Sequence, residues 1–291
     1  MFVAVFLSAP AQKPLDAALV ERFRSAWGGG AVRWLAAGEA AEFGVPARPL
    51  TFEAAWQECQ VAQVDLLIVP EAGRRKKMLL ADMDSTMIEQ ECIDELAEAA
   101  GVGAEVKGIT ARAMNGELDF EGALRERVAL LRGLEATVIE TVLAERITLM
   151  PGGPVLLATM KAQGAYAALV SGGFTAFTSQ IAARLGFDTH RANTLLIEDD
   201  SLTGEVGLPI LGRAAKVAAL EEITKAQGIL EADVMAVGDG ANDLGMLDRA
   251  GMGVALHAKP AVAAACDLRV SFGDLTALLY IQGYRKAEFT H

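Results

Sequence analysis

The run Met78-Leu79-Leu80-Ala81 is apolar without interruption and leads straight into Asp82-Met83-Asp84-Ser85-Thr86. A strand with one wet face alternates apolar and polar residues, whereas a continuous apolar run closed by a polar turn marks a strand covered on both faces, as in a parallel sheet between helices. Three further runs repeat the pattern: Ala165 to Val170, Val234 to Val237 and Gly253 to Leu256, each followed by a glycine-rich or acidic turn and a helix-like segment. From Met78 onward the chain is therefore expected to be α/β, a Rossmann-like parallel sheet. Ligands of such folds gather beyond the carboxyl ends of the strands.

Two other stretches frame this core. Within residues 88–147, Ile93-Asp94-Glu95-Leu96-Ala97, Phe120-Glu121-Gly122-Ala123-Leu124 and Val138 to Leu143 set charged residues opposite apolar ones. That pattern predicts a helical cap inserted within a core of residues 74–291. In residues 1–73, strand-like and helix-like patterns alternate: Phe2 to Leu7, Leu15 to Trp27, Ala31 to Leu35, Phe52 to Val61 and Val64 to Val69. They predict a small amino-terminal α+β module, with Arg74-Arg75-Lys76-Lys77 read as a solvated linker. Phe2 to Leu7 followed by Ala9-Pro10-Ala11 imitates a secretory signal. No basic residue precedes it and the apolar run is short, so a first strand is the better reading.

Composition narrows the function. The 291 residues suit two domains or one elaborated domain, and 38 acidic against 26 basic residues give a net charge of −12. A polyanion would meet net repulsion, so no nucleic-acid partner is expected, and no apolar run is long enough for a membrane span. Cys59, Cys92 and Cys266 are odd in number and widely separated, which fits a reducing, cytoplasmic setting.

Four elements carry chemistry. The two-residue period of a strand aims Asp82 and Asp84 the same way, and two convergent acids need a hard cation such as Mg2+. Capping of the next helix by Asp84 or Ser85 is the plainer use. Ser171-Gly172-Gly173-Phe174 offers a hydroxyl and backbone N–H groups to an anion, although it is equally an ordinary strand-to-helix turn. Lys216 falls at the amino end of a predicted helix, where the dipole disfavours it, yet a lone helical lysine is commonly a surface residue. Gly238-Asp239-Gly240-Ala241-Asn242-Asp243 brings Asp239 to the same edge as Asp82, with Asp243 or Asn242 nearby; a tight Asp-Gly turn is the alternative.

Taken together, the four suit phosphoryl transfer. Asp82 would attack phosphorus, Asp84 would act as acid and then base, and Mg2+ with Lys216 would neutralise charge.

These segments resemble the haloacid dehalogenase (HAD) superfamily of phosphatases, and within it the phosphoserine phosphatase family. The likeness covers Met78 to the carboxyl terminus. It implies a HAD core with an inserted helical cap and hydrolysis of O-phospho-L-serine as the last step of serine biosynthesis. It also implies a metal set of Asp82, Asp239 and the backbone carbonyl of Asp84. Ser171, Gly172, Lys216 and Asn242 would then lie against the substrate. In the cap, Glu91 would take the substrate ammonium and Arg127 its carboxylate, with Met114 and Phe120 as apolar walls. Thr203-Gly204-Glu205-Val206 resembles the family's β-hairpin and His257-Ala258-Lys259-Pro260 its late turn, neither with a catalytic part. Bacterial members often carry an amino-terminal regulatory-type module, ACT-like here, for which ligand binding, dimerisation and a remnant stand equally open, as does a homodimer.

Two rivals use the same aspartates. A HAD phosphatase or phosphotransferase acting on another small phosphomonoester would differ in the cap. A signalling receiver domain also holds a phosphoaspartate, but it lacks an inserted cap and a residue placed like Asp84.

Overall fold

The computed structural model describes residues 1–9, 13–115 and 117–291; the side chain of Met114 lies outside the description. The amino-terminal module runs β1 (Phe2–Ser8), α1 (Ala17–Ala26), β2 (Arg33–Ala36), β3 (Ala40–Val45), α2 (Phe52–Val61) and β4 (Val64–Pro70). Its strands form an antiparallel sheet in the order β2-β3-β1-β4, the βαββαβ arrangement of a ferredoxin-like unit. Strand β3 was not expected from the sequence.

β1 explains why the chain begins with a signal-like run. Successive side chains of a strand face opposite ways. Ala4 and Phe6 pack with Val20, Phe23 and Phe43 beneath α1 and α2, while Val3, Val5 and Leu7 join the larger core that continues into the second sheet. Both faces are buried, so the strand is apolar throughout.

The second body begins at β5 (Met78–Ala81) and passes through α3 (Cys92–Ala100), α4 (Gly103–Met114), α5 (Phe120–Ala129) and α6 (Thr137–Glu145). It continues as α7 (Gly153–Ala162), β6 (Tyr166–Phe174), α8 (Thr175–Leu185), β7 (Thr189–Asn193), β8 (Leu195–Glu198), β9 (Ser201–Val206) and α9 (Arg213–Gln227). β10 (Val234–Gly238), α10 (Leu244–Arg249), β11 (Met252–Leu256), α11 (Pro260–Ala265), β12 (Leu268–Val270) and α12 (Ala277–Ile281) complete it. Six strands form a parallel sheet in the order β12-β11-β10-β5-β6-β7. The four strands read from apolar runs are β5, β6, β10 and β11. The flanking β7 is only half-buried over Thr189 to Arg191, and β12 is three residues long, so neither carries the continuous apolar signal.

Helices α3 to α6 all fall in the insertion after β5. Its two ends meet where Glu89 N–H donates to the Thr148 carbonyl (3.0 Å) and Met150 N–H to that of Met87 (3.0 Å), closing the neck of the cap. The β8–β9 hairpin, which contains the predicted Thr203–Val206 segment, braces the cap from the other side. Leu202 N–H donates to the Leu134 carbonyl and Gly133 N–H to that of Leu202, each at 2.8 Å.

The basic run is solvated at Arg75 and Lys77 but not at Arg74. Arg74 is buried; its guanidinium donates to the carbonyl of Ile281 at the end of α12 (2.9 and 3.0 Å) and pairs with the buried Glu42 of β3 (2.8 Å). Arg75 lies over the ring of Tyr284, 4.0 Å from its centroid, and pairs with Glu288. Charge content alone predicted solvation; the carboxylate and carbonyls that receive these charges come from distant parts of the chain. A second anchor is Asp65 of β4, whose buried carboxylate accepts N–H groups from Ser271, Phe272 and Gly273. No helix among the described residues is long and apolar enough to cross a membrane.

Candidate active site

Register places the site. Ala81 lies level with Val237 of β10 and Leu169 of β6, and Asp82 N–H donates to the carbonyl of Val237 (3.0 Å). The residues just beyond these three strands therefore emerge at one edge: Asp82 and Asp84, Ser171 to Phe174, and Asp239 to Asp243. They border a cavity of about 860 Å3 that the cap closes with Glu91, Ile93, Phe120, Leu124 and Arg127.

Lys216, in the first turns of α9, is 2% exposed, and its Nζ lies 2.7 Å from Asp82 Oδ1 and 2.5 Å from Asp243 Oδ1. Burial alone would lower its pKa, but the two carboxylates outweigh that and raise it, so the ammonium stays charged. The lysine that the helix dipole disfavours is thus held by two buried acids. Asp82 Oδ1 also accepts the N–H of Met83 (2.8 Å), which leaves Oδ2 without a donor among the described residues.

Asp82, Asp239 and Asp243 each offer a carboxylate oxygen within 4.8 Å of the others, all in buried side chains. Burial, then the charge of Asp243, pushes the pKa of Asp82 well up and that of Asp239 to about 6. Asp243 is further fixed by the N–H of Gly240 on Oδ2 (2.9 Å). Three acids against one ammonium is an arrangement that asks for a cation, and an all-oxygen donor set fits a hard one.

The carboxylate of Asp84 is turned away from this trio. Oδ1 accepts the N–H of Cys92, the first residue of α3 (2.9 Å), and Oδ2 accepts the hydroxyl of Ser171 (3.1 Å). Ser171 Oγ in turn accepts the N–H of Gly173 (2.8 Å). One of the two glycine amides expected to face an anion is therefore taken by Ser171, and the helix opens at Thr175 after extended backbone through Phe174. A β-carbon on Gly173 would lie 2.5 Å from Asp84 Oδ2, so only glycine lets these elements approach. At Gly172 a β-carbon would meet the Phe120 ring at 3.2 Å and Asn242 Nδ2 at 3.6 Å, which puts cap and core in contact across the cavity.

Ser85 adopts a left-handed backbone (φ 54°), uncommon for a non-glycine residue. Its N–H donates to the Gln90 carbonyl (3.2 Å) and its hydroxyl to Glu91 Oε1 (2.9 Å). This turn brings Glu91 back over the acids that precede it. Burial, then the charge of Asp84, raises the Glu91 pKa to about 7. Arg127 donates Nε–H to the Ala123 carbonyl (3.2 Å) and pairs with no carboxylate among the described residues; burial lowers its pKa. Phe120 and Leu124 line the apolar side. Met114 ends α4, and the wall expected from its side chain lies outside the described residues.

Two charged residues of the cavity were given no part by sequence reasoning, Arg213 and Lys259. A signal existed for both: each is a cation at the start of a helix, Arg213 opening α9 and Lys259 preceding Pro260 of α11.

A parallel sheet with its acids at the carboxyl edge and a helical cap inserted after the first strand defines a hydrolase of the haloacid dehalogenase type. Residues 79–248 match the model of the haloacid dehalogenase-like hydrolases, and the chain belongs to that family. It is 42% identical over 252 residues to a phosphoserine phosphatase of Streptomyces coelicolor, a match covering 86% of this chain and 61% of that protein. The crystal structure of a HAD family hydrolase from Salmonella enterica serovar Typhi superposes with a TM-score of 0.87 at 30% identity, covering 97% of this chain and 98% of the other. A probable phosphoserine phosphatase from Vibrio cholerae, unliganded, superposes with a TM-score of 0.80 at 32% identity, covering 99% and 88%. The amino-terminal module is therefore shared in fold with both.

Proposed function

We propose that this protein is a Mg2+-dependent phosphoserine phosphatase that hydrolyses O-phospho-L-serine through a phosphoaspartate on Asp82. The observation that carries the substrate is in the cap. Glu91 and Arg127, one anion and one cation, face the cavity that holds Asp82, and neither is spent on an ion pair among the described residues. A zwitterionic amino acid supplies the complementary charges. The phosphoserine phosphatases among its relatives support the same substrate.

Asp82, Asp239 and Asp243 would supply oxygen for the cation, and the family resemblance adds the Asp84 carbonyl as a further ligand. Bound there, Mg2+ would offset the charge that otherwise keeps an anionic nucleophile from a phosphate dianion. Asp82 Oδ2, the oxygen without a donor, attacks phosphorus. The ester P–O bond breaks, its electron pair stays on the serine oxygen, and Asp84 in its protonated form delivers a proton there. Water then attacks the phosphoaspartate, Asp84 takes its proton, and the Asp82–phosphorus bond breaks to release phosphate. Lys216 holds Oδ1 so that Oδ2 is aimed, and Ser171, Gly172 and Asn242 line the place of the phosphate. Three unpaired cysteines suit a cytoplasmic setting.

The test is phosphate release from O-phospho-L-serine with Mg2+, beside phosphothreonine, a sugar phosphate and a chelator control. Rapid, metal-dependent release that favours the serine ester is expected. Release from the other esters alone would overturn the parts given to Glu91 and Arg127, and no release from any would overturn the hydrolase itself.

A further inference from the structure

Arg213 and Lys259 line the cavity, yet neither has a part in the chemistry above. Both are exposed, and neither forms an ion pair among the described residues. Arginines elsewhere on the same body behave differently: Arg191 pairs with Glu222, and Arg249 with Glu221 and Glu231. The two cations bracket the turn Gly240-Ala241-Asn242. On one side, a β-carbon on Gly245, in α10 just after that turn, would lie 4.0 Å from Arg213 Nε. On the other, the N–H of Lys259 donates to the carbonyl of Asp239 (3.3 Å). Each cation also stands where a helix dipole disfavours it, a local cost that calls for a compensating gain.

The gain lies in the charge of the substrate. The chain carries −12, and Asp82, Asp84, Glu91 and Asp239 all line the cavity. Lys216 is committed to Asp82 and Asp243, and Arg127 belongs to the cap. A phosphomonoester dianion approaching from solvent therefore meets an acidic lining on the core side of the cavity, relieved at its exposed edge by Arg213 and Lys259. A cleft focuses the field of such charges and raises the local concentration and on-rate of an oppositely charged ligand.

We propose that Arg213 and Lys259 form a cationic rim that captures the phosphate dianion of the incoming substrate and guides it to Asp82. This rests on the phosphomonoesterase reading but not on serine as the alcohol. The rim discriminates by charge, favouring phosphate monoesters over singly charged diesters.

The experiment uses the Mg2+-loaded full chain and the variants Arg213→Gln, Lys259→Gln and both together. Rates with O-phospho-L-serine are measured from about 0.01 to 0.5 M salt, a range over which screening grows from weak to nearly complete. The double variant is expected to lose about tenfold in kcat/KM at low salt, at the lower end of steering effects, with the loss in KM and a flattened salt dependence. Arg213→Lys and Lys259→Arg should restore both. Lys225→Gln removes one charge, as each single rim variant does, but at an exposed site in the last turn of α9, and should leave rate and salt slope as they were. In parallel, calorimetry with inorganic phosphate should show weaker binding to the double variant. If the wild type binds phosphate but does not hydrolyse the serine ester, and the double variant binds phosphate less, the rim stands and the substrate reading falls. Wild-type kcat/KM, salt slope and phosphate affinity in the double variant would overturn the rim, as would a Lys225→Gln variant that reproduced the loss.

Discussion

Nζ of Lys216 lies 2.7 Å from Oδ1 of Asp82, and both side chains are buried. The contact is half of a clamp completed by Asp243. Removing the lysine would leave two buried carboxylates facing each other, whereas removing the Asp82 charge leaves Lys216 its second partner. Lys216→Met is therefore expected to destabilise the metal-free protein by about 3–5 kcal/mol in a denaturant melt. Asp82→Asn should keep the fold by circular dichroism and lose about a thousandfold or more in phosphate release. Substantial turnover in Asp82→Asn would remove it as the nucleophile.

Metal should act on stability as well as on rate. Asp82, Asp239 and Asp243 repel one another within 4.8 Å, and a cation bound only by the folded state stabilises by about 2.7 kcal/mol at a hundred times its Kd. Mg2+ is expected to raise the melting temperature of chelator-treated protein. Asp239→Asn should shrink that rise; an undiminished rise would place the cation elsewhere.

The pKa of Glu91, raised to about 7, fixes a sign. The folded state holds this proton through a range in which the unfolded chain has already lost it. Its contribution to stability is thus present at low pH and is lost as pH climbs from the ordinary carboxylate range through about 7. Metal-free protein should lose stability over that window, and Glu91→Gln should flatten the profile. On the catalytic side, an ionised Glu91 is what attracts an ammonium, so KM for phosphoserine should rise below about pH 7, and less so in Glu91→Gln.

Gly173 tests the approach of Ser171 to Asp84. Its β-carbon position lies 2.5 Å from Asp84 Oδ2 and 3.1 Å from Ser171 Oγ. Gly173→Ala must displace the acid/base group, and a misplacement near 1 Å costs about a hundredfold. The loss is expected in kcat, measured by steady-state kinetics, with KM little changed.

Arg74 separates stability from chemistry. It joins Glu42 of the amino-terminal sheet to the end of α12. Arg74→Met should cost about 3–5 kcal/mol in thermal or denaturant melts, because Glu42 keeps only the half-exposed Arg33. Phosphate release at a temperature where the variant is folded should stay near wild type. A large fall in kcat there would tie the module directly to turnover.

The site was legible in the sequence to the extent that its chemistry sits at strand ends. Met78 to Ala81 and Val234 to Val237 announce themselves as buried strands, and the acids that follow inherit their place from them. Arg213 and Lys259 escaped because their one local signal, a cation at a helix start, does not say what the side chain faces. Strand β3 escaped because Ala40-Ala41-Glu42-Phe43-Gly44-Val45 buries a glutamate whose partners, Arg33 and Arg74, are visible only in three dimensions.

The sequence by itself determined the parallel sheet, the inserted helical cap and the edge at which the acids emerge, because hydrophobic period and turn chemistry act between residues close along the chain. The tertiary structure alone decided that Asp243, of the two candidates Asp243 and Asn242, joins Asp82 and Asp239, and that the Asp84 carboxylate turns away from them. It also decided that Arg74 is buried rather than solvated. Both depend on sheet register and on packing between elements far apart in the chain, and nothing within either neighbourhood specifies the distant partner.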